Sequence, residues 1–404
     1  MAARCLDLTR SLSRVGRGPA TGIDRVERAY LTAILAADAP AYGLVRTAWG
    51  DALLDRRGLT ALKARLDRRT PWGGPDLPAR LSRRLSPARR AAEADVRRLA
   101  VGTAPRWRLA ALLARHLPPD ATYVNVGHSN LSTRVLGAVA EGSGRRCVVL
   151  VHDTIPLDFP QFQRPGTPDV FRRRMQAVST HADRVICNSA ATASDVARHF
   201  TAFGRVPPLT VAHLGIATLP PDPSQAPAIP TDRPYFLTVG TIEPRKNHAL
   251  LLDVWAEMAE TGMTPPPRLV IAGSRGWNND AVFARLDRAD PDTVVEVAGV
   301  PDGGLSALMQ GAAGVLFPSV AEGFGLPPAE AAAMGVPVVC APLPVYREFL
   351  GDAAIYAESR DLYSWRKEIE ALTRRAQVEQ RSPHGPHVSL PTWEAHFKVV
   401  LNLI

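Results

Sequence analysis

Short runs of β-branched and apolar residues alternate with helical patterns along almost the whole chain, until one proline-rich segment interrupts them. Such alternation is the signature of strand-helix-strand units wound about parallel sheets. Before the interruption the predicted strands are 4–8, 42–46, 122–126, 147–152, 184–188 and 209–213. After it they are 235–239, 268–272, 294–298, 314–317, 337–340 and 354–356. The interruption itself, TLPPDPSQAPAIPTDRP at 218–234, places six prolines in seventeen residues. Proline has no amide hydrogen and a fixed φ, so neither a regular helix nor a central strand forms there. A length of 404 residues also exceeds what one core ordinarily holds. The expectation is an α/β protein of two parallel-sheet domains, 1–217 and 235–385, joined by a linker at 218–234. An apolar helix within 386–404 follows the loop-like RSPHGPHVSLP and needs a surface to cover, which the first domain supplies.

Residues 51–115 depart from this alternation. Leu59, Leu62 and Leu66 fall at helical spacing among arginines, TPWGGPDLP breaks the pattern, and a second arginine-rich helix follows, which reads as a basic helical insertion. The stretch holds 16 Arg and Lys against 6 Asp and Glu, or +10, whereas the whole chain carries +9. Basicity concentrated in this way suits nucleic acid, an anionic membrane or an acidic substrate, and equally a solvated helical face. Only Trp72 and Trp107 are available for stacking bases, without regular interleaving, so nucleic acid is not the expected partner. Cys5, Cys147, Cys187 and Cys340 lie far apart, in or beside apolar runs and without metal-ligand spacing, and read as reduced core thiols. MAARCLDLTRSLSR lacks the continuous apolar stretch of a signal peptide, and no run reaches the roughly 18 apolar residues of a spanning helix. A cytoplasmic location is the expectation.

Two motifs carry chemistry. In PSVAEGFGLPPAEAAAMGVPVV a buried strand leads into a glycine-rich turn, Glu322-Gly323-Phe324-Gly325-Leu326, and then into a helix opened by prolines and bearing Glu330. Proline suits the first helical turn, whose free amides, with glycines that admit a ligand close to the backbone, make an anion-binding end. Carboxylates eight residues apart beside an anion site point to a polyol carrying phosphate. The bland alternative, Glu330 complementing the helix dipole and Glu322 a solvated acid, stays open on spacing alone. In TVGTIEPRKNHALLLDVW a strand ends in Gly240-Thr241, and a short turn presents Arg245 and Lys246 before a helix. Ligands of open α/β sheets bind at the carboxyl ends of strands, and a guanidinium fork with a mobile ammonium suits a diphosphate there.

With these residues in hand, the chain resembles the retaining glycosyltransferases of family 4. EGFGLPPAE is similar to that family's E-x7-E signature, and TIEPRKN to its basic diphosphate-binding turn. The likeness runs from about residue 146 to about residue 360, through VHDTIPLDFP, NSAATASDV, VAHLGI and VPVVCAPLPVYREFLGDAAIY. The first 120 residues match only loosely. The resemblance implies the GT-B architecture, two Rossmann-like domains with parallel sheets facing across a cleft, the first on the acceptor side and the second binding a nucleotide-diphosphate sugar.

Carried over residue by residue, the family's roles place Arg245 and Lys246 on the donor diphosphate and Glu330 on the nucleotide ribose. Glu322, with the amides of Gly323, Phe324, Gly325 and Leu326, falls on the transferred sugar, and His152 near the sugar's reacting end. Gly240, Thr241 and Gly22 join the donor-binding set, Gly22 standing where many members have a double glycine. Asn188, Ser189 and His213 to Gly215 are cleft-lining candidates at strand ends. The resemblance also implies retention of configuration with no protein nucleophile, and no metal, since Arg245 and Lys246 neutralise the diphosphate. Asp290-Pro291-Asp292 is read as a structural turn. The expected partners are a sugar-nucleotide donor, a glycan or polyprenyl-diphosphate-linked acceptor, and an anionic membrane, the protein sitting peripherally on its inner face. The motifs lean toward a mannosyl- or other hexosyltransferase of polysaccharide assembly. An inactive nucleotide-sugar-binding scaffold and a sugar-nucleotide epimerase of the same fold are the alternatives.

Overall fold

The computed structural model describes residues 2–18, 20–141, 144–230, 232–262, 265–378 and 390–404. Two sheets organise it. The first contains β1 (Arg4–Asp7), β2 (Ala41–Thr47), β3 (Gly50–Leu54), β4 (Gly102–Ala104), β5 (Thr122–Asn125), β6 (Arg146–Val151), β7 (Arg184–Cys187) and β8 (Leu209–Val211), in the order β4-β3-β2-β1-β5-β6-β7-β8. The second contains β9 (Tyr235–Val239), β10 (Arg268–Ala272), β11 (Val294–Val297), β12 (Gly314–Phe317), β13 (Val338–Cys340) and β14 (Ala354–Tyr356), in the order β11-β10-β9-β12-β13-β14. Every pairing in the second sheet is parallel, as are those linking β2, β1, β5, β6, β7 and β8 in the first. Strands covered on both faces read as unbroken apolar runs, and YFLTV, RLVIA and GVLF are buried at every position. For that reason the expected strands sit within a residue or two of the observed ones.

The 51–115 stretch is a correction. It contains β3 and β4, two antiparallel strands that extend the first sheet beyond β2, holds helices Arg56–Leu66, Leu77–Leu81 and Pro87–Leu99 between them, and runs on after β4 into helix Leu109–His116. DALL is too short a run to be told from the start of a helix, and GTA has no alternation; only pairing to a neighbour makes them strands. The helices are capped by Asp55, Asp76 and Ser86, each accepting an amide of its own first turn. Leu59, Leu62 and Leu66 are buried, as their spacing predicts. Several arginines here are structural. Arg65 and Arg98 each lie 2.7 Å from Asp95, Arg97 lies 2.5 Å from Asp76, and Arg89 lies 3.0 Å from Glu93.

All four cysteines are buried and unpaired. Among the described residues no helix is long and apolar enough to cross a membrane. The boundary drawn at 385/386, most of RSPHGPHVSLP and the linker's Thr231 lie outside the described residues. Helix Trp393–Val400 rests on the first domain. His396 Nδ1 lies 2.9 Å from the His213 carbonyl and so must donate to it, which leaves Nε2 to accept from the Tyr30 hydroxyl at 2.8 Å. Burial holds His396 down to about 4, so the ring is neutral and this arrangement stable. Arg4 donates to the carbonyls of Leu401 at 3.0 Å and Ile404 at 3.2 Å, tying β1 to the chain end.

Gly215 marks where the final helix meets the first domain: a Cβ there would strike the backbone and ring of Trp393. Gly215→Ala is expected to cost about 1–3 kcal/mol by overpacking. Thermal unfolding would then begin at a lower temperature, with Tyr30→Phe, which removes only a hydroxyl, costing less.

Candidate functional site

β9 and β12 are neighbours, so the segments leaving their carboxyl ends emerge side by side. After β9, Gly240 adopts φ +141, and a Cβ there would come within 3.2 Å of Lys246 Cε; glycine leaves room for that side chain to fold back over the sheet. Pro244–Lys246 forms one tight turn, and Asn247, at φ +56, opens helix His248–Glu260. After β12, the chain runs through Glu322 into helix Leu326–Ala333. The two segments are tied by Val320 N donating to the Arg245 carbonyl, 2.8 Å, and by Arg245 Nη1 donating to the Ala321 carbonyl, 2.9 Å.

At this junction five ionisable groups meet. Lys246 Nζ donates to Glu322 Oε1 at 2.6 Å, Arg245 Nη1 lies 2.8 Å from Glu322 Oε2, and Arg245 Nε lies 2.8 Å from Glu243 Oε1. Burial alone would raise Glu322, but the adjacent Arg245 and Lys246 hold it at about 2, so it is ionised. Burial lowers Lys246, with repulsion from Arg245 adding to the effect and Glu322 opposing it. Asp153, facing the cluster from the first domain, is pushed up to about 6 by burial, with Glu322 and Glu243 repelling its charge and Arg245 partly offsetting them. The guanidinium and ammonium are thus prepared for an anion, with Glu322 as their resting counter-ion.

The first domain contributes the opposite wall. His152 follows β6; its Nε2 lies 2.7 Å from the Val126 carbonyl and its amide donates to His128 Nε2 at 3.2 Å. Burial lowers it to about 4, so the ring is neutral, with its proton on Nε2. Asn188 Nδ2 donates to the His152 carbonyl at 2.9 Å, against which Gly323 is packed, and Thr192 Oγ1 donates to the Gly323 carbonyl at 3.3 Å. Ser189 caps helix Ala190–Phe203. Gly22 starts helix Gly22–Ala36 and faces Leu326, and one turn on Arg25 Nη2 lies 2.6 Å from Glu330 Oε1, an ion pair lacking hydrogen-bond angles. Burial raises Glu330 and Arg25 opposes that shift. A cavity of ≈ 30 Å³ opens beside this pair, toward Thr218, Asp302 and Ser306.

The predicted residues therefore gather at one cleft, with two refinements. Phe324 stacks on Phe349 at 4.6 Å and is buried, so its side chain is packing and only its backbone can serve a ligand. Thr241 is exposed at the rim. Sequence reasoning did not single out Glu243, Arg25, Glu348 or Trp277. Glu348 accepts from the amides of Ala190 at 2.7 Å and Ala191 at 3.2 Å and lies 2.6 Å from His213 Nε2, bridging the domains. Trp277 donates to the Phe162 carbonyl at 2.8 Å and Asn278 to that of Gln163 at 2.8 Å, a second bridge. Glu243 was legible in TIEPRKN as an acid two positions before Arg245; the others become neighbours of the site only through the packing of two domains.

Residues 222–381 match the family model described as glycosyl transferases group 1, and residues 56–218 match the one described as glycosyltransferase family 4. The serotype-specific mannosyltransferase WbdA of Escherichia coli is 32% identical over 288 residues, 67% of this chain and 34% of that protein. The O-antigen chain mannosyltransferase B of Escherichia coli is 39% identical over 130 residues, 32% of this chain and 34% of that protein. The chain aligns with about a third of the length of these relatives. Among solved structures, a sucrose-phosphate synthase from Thermosynechococcus elongatus superposes with a TM-score of 0.64 at 17% identity, covering 100% of this chain and 98% of that one. Anabaena HepE in complex with UDP gives 0.59 at 15% identity, over 100% and 99%. These likenesses establish the two-domain GT-B fold.

Glu322→Gln would leave two buried cations facing an uncharged amide, at an expected cost of about 3–5 kcal/mol at neutral pH. Because the carboxylate's folded pKa is depressed, its contribution is present above about pH 4 and lost as pH falls toward about 2. Denaturant titrations of wild type and variant should therefore differ at pH 7 and converge in acid.

Proposed function

Since the chain belongs to the glycosyltransferases of family 4, with the GT-B fold, we propose that it moves a hexose, mannose foremost, from a nucleotide-diphosphate sugar to a glycan or polyprenyl-diphosphate-linked acceptor, with retention of configuration. The observation that carries this reading is the buried cluster of Arg245, Lys246 and Glu322 beneath the His152 wall. Mannose is favoured because relatives matched over both long and short stretches are named mannosyltransferases. The name of one of them also favours a setting in O-antigen assembly, and we place the reaction at the inner face of the cytoplasmic membrane as part of the same proposal.

In this reading the donor diphosphate takes the anion position, and Glu322 turns from counter-ion to acceptor of hydrogen bonds from the transferred sugar. Glu330, kept company by Arg25, receives the ribose hydroxyls. As the bond from the anomeric carbon to the diphosphate oxygen breaks, Arg245 and Lys246 stabilise the charge growing on that oxygen. The acceptor hydroxyl attacks on the same face, forming the new glycosidic bond, and its proton passes to the departing diphosphate. No protein nucleophile takes part, so Glu322 and Glu330 are not the acid and nucleophile of a glycosidase. Neutral His152 positions the sugar near its reacting carbon and cannot compete as a cation. The two side-chain cations do the work that a metal does elsewhere.

The test is a panel of GDP-, UDP- and ADP-sugars, read by thermal shift and by slow release of nucleoside diphosphate, with and without chelator. One mannose donor should raise the melting temperature and be hydrolysed equally in both conditions. Lys246→Ala should lower that release by about 100-fold or more, as expected for removing a preorganised charge from the leaving group, while keeping the wild-type circular dichroism. Binding without release would favour the scaffold reading, and no shift with any donor would overturn the proposal.

A further inference from the structure

Two sets of cations stand out in the 51–115 insertion. Arg65, Arg89, Arg97 and Arg98 are committed to the acids that hold its helices together. Arg80, Arg83, Arg84 and Arg108 are exposed, and none forms an ion pair with a carboxylate among the described residues, whereas Arg106, also exposed, faces the Asp51 carboxylate. Large apolar side chains stand among this second set. Leu77 is 71% exposed, Leu81 62%, Trp107 75% and Trp49 53%. Leu77 and Leu81, four apart on one short helix, share its outer side, while Ala79 faces inward.

Contacts draw these residues to one rim. Trp49, in the turn between β2 and β3, donates its Nε1 to the Pro78 carbonyl at 2.9 Å and to Ser82 Oγ at 2.8 Å, which seats it on the Leu77–Leu81 helix. The adjoining Gly50 backs onto Ala104 and Pro105, so Arg106, Trp107 and Arg108 follow directly beside it. β2 ends at Thr47 and β4 at Ala104, and both run in the direction of β1 and β6. The rim is therefore at the carboxyl end of the first sheet, the end at which His152 lines the cleft.

We propose that this rim docks on an anionic lipid bilayer. Leu77, Leu81, Trp49 and Trp107 enter the interfacial layer, where tryptophan and aliphatic groups leave water favourably, and the four arginines without an acid partner, Arg80, Arg83, Arg84 and Arg108, face the headgroup phosphates. Charge complementarity selects this occupant: arginines without acid partners match a surface of distributed negative charge. The exposed leucines decide against nucleic acid, whose phosphate backbone offers nothing apolar to receive them. The inference deepens the lipid-linked acceptor of the proposed function and rests on it for its purpose, since docking here brings the acceptor side of the cleft to the membrane.

Flotation of the full chain with neutral phosphatidylcholine vesicles, and with vesicles containing phosphatidylglycerol, tests the docking. The expected result is co-flotation with the anionic vesicles alone, weakened by salt. R80E/R83E/R84E should reduce partitioning by about 100-fold, three cations at roughly a factor of five each. L77D/L81D should also detach the protein, and both variants should keep the wild-type melting temperature and donor-dependent thermal shift. R97E, which breaks a structural pair instead, should lower the melting temperature. Equal flotation with both vesicle types, flotation with neither, undiminished binding by the variants, or capture by mixed-sequence RNA without vesicle binding would each overturn the proposal. Donor hydrolysis by the same preparations reports on the transferase reading separately, so failure of one does not mimic failure of the other.

Discussion

The buried contact of Glu322 with Arg245 and Lys246 is the interaction on which the site depends, and it exists because of strand order. β9 and β12 lie side by side, although their last residues, Val239 and Phe317, are 78 positions apart in the chain. Parallel pairing sends both chains out at the same end, where one delivers a basic turn and the other an acid. Removing such charges from water is costly, and their mutual attraction offsets this only with good geometry. Here each Glu322 oxygen has its own cation, and Glu243 takes the remaining side of Arg245. A ligand diphosphate can enter such a cluster by exchange, replacing one anion by another without stranding a buried charge.

Closure against the first domain completes the arrangement. Gly323 presses on the His152 carbonyl, Arg25 reaches Glu330, Glu348 bonds the start of helix Ala190–Phe203, and Trp277 bonds Phe162. Each contact is polar and local, and each joins a residue near the anion position to the other domain. Beside these polar contacts, apolar residues of both domains, Ala212 and Leu214 from the first and Phe324 and Ala329 from the second, belong to one buried cluster. Asp153 fits the same picture. Its carboxyl is raised to about 6 because the closed cleft buries it near two other acids, so its charge is tied to the separation of the domains.

Much of this was legible in the sequence because the strands are buried on both faces and announce themselves as unbroken apolar runs. The two motifs were legible for a different reason: glycine, proline and charged residues in a fixed order report local backbone geometry, and local geometry is what brings Lys246 across Gly240. What escaped was non-local. β3 and β4 are strands only because β2 offers an edge, and nothing in DALL or GTA marks them. Arg25 and Glu348 are ordinary helix residues until the second domain arrives, and Phe324, inside the glycine-rich turn, proved to be held by Phe349.

The insertion shows the same limit in electrostatic form. Counted along the chain, its cations make one block of +10 and invite one explanation. In space they separate according to whether an acid lies within reach, and Asp76, Glu93 and Asp95 serve four arginines while Arg80, Arg83, Arg84 and Arg108 at the rim form no ion pair among the described residues. Net charge is a sum and carries no information about pairing, yet pairing determines whether a cation stabilises the fold or remains available to a partner. The exposed leucines and tryptophans beside the unpaired set are informative for the same reason: a folded chain can cover apolar surface that it does not need, and this rim has been left uncovered next to charge that has been left unmatched.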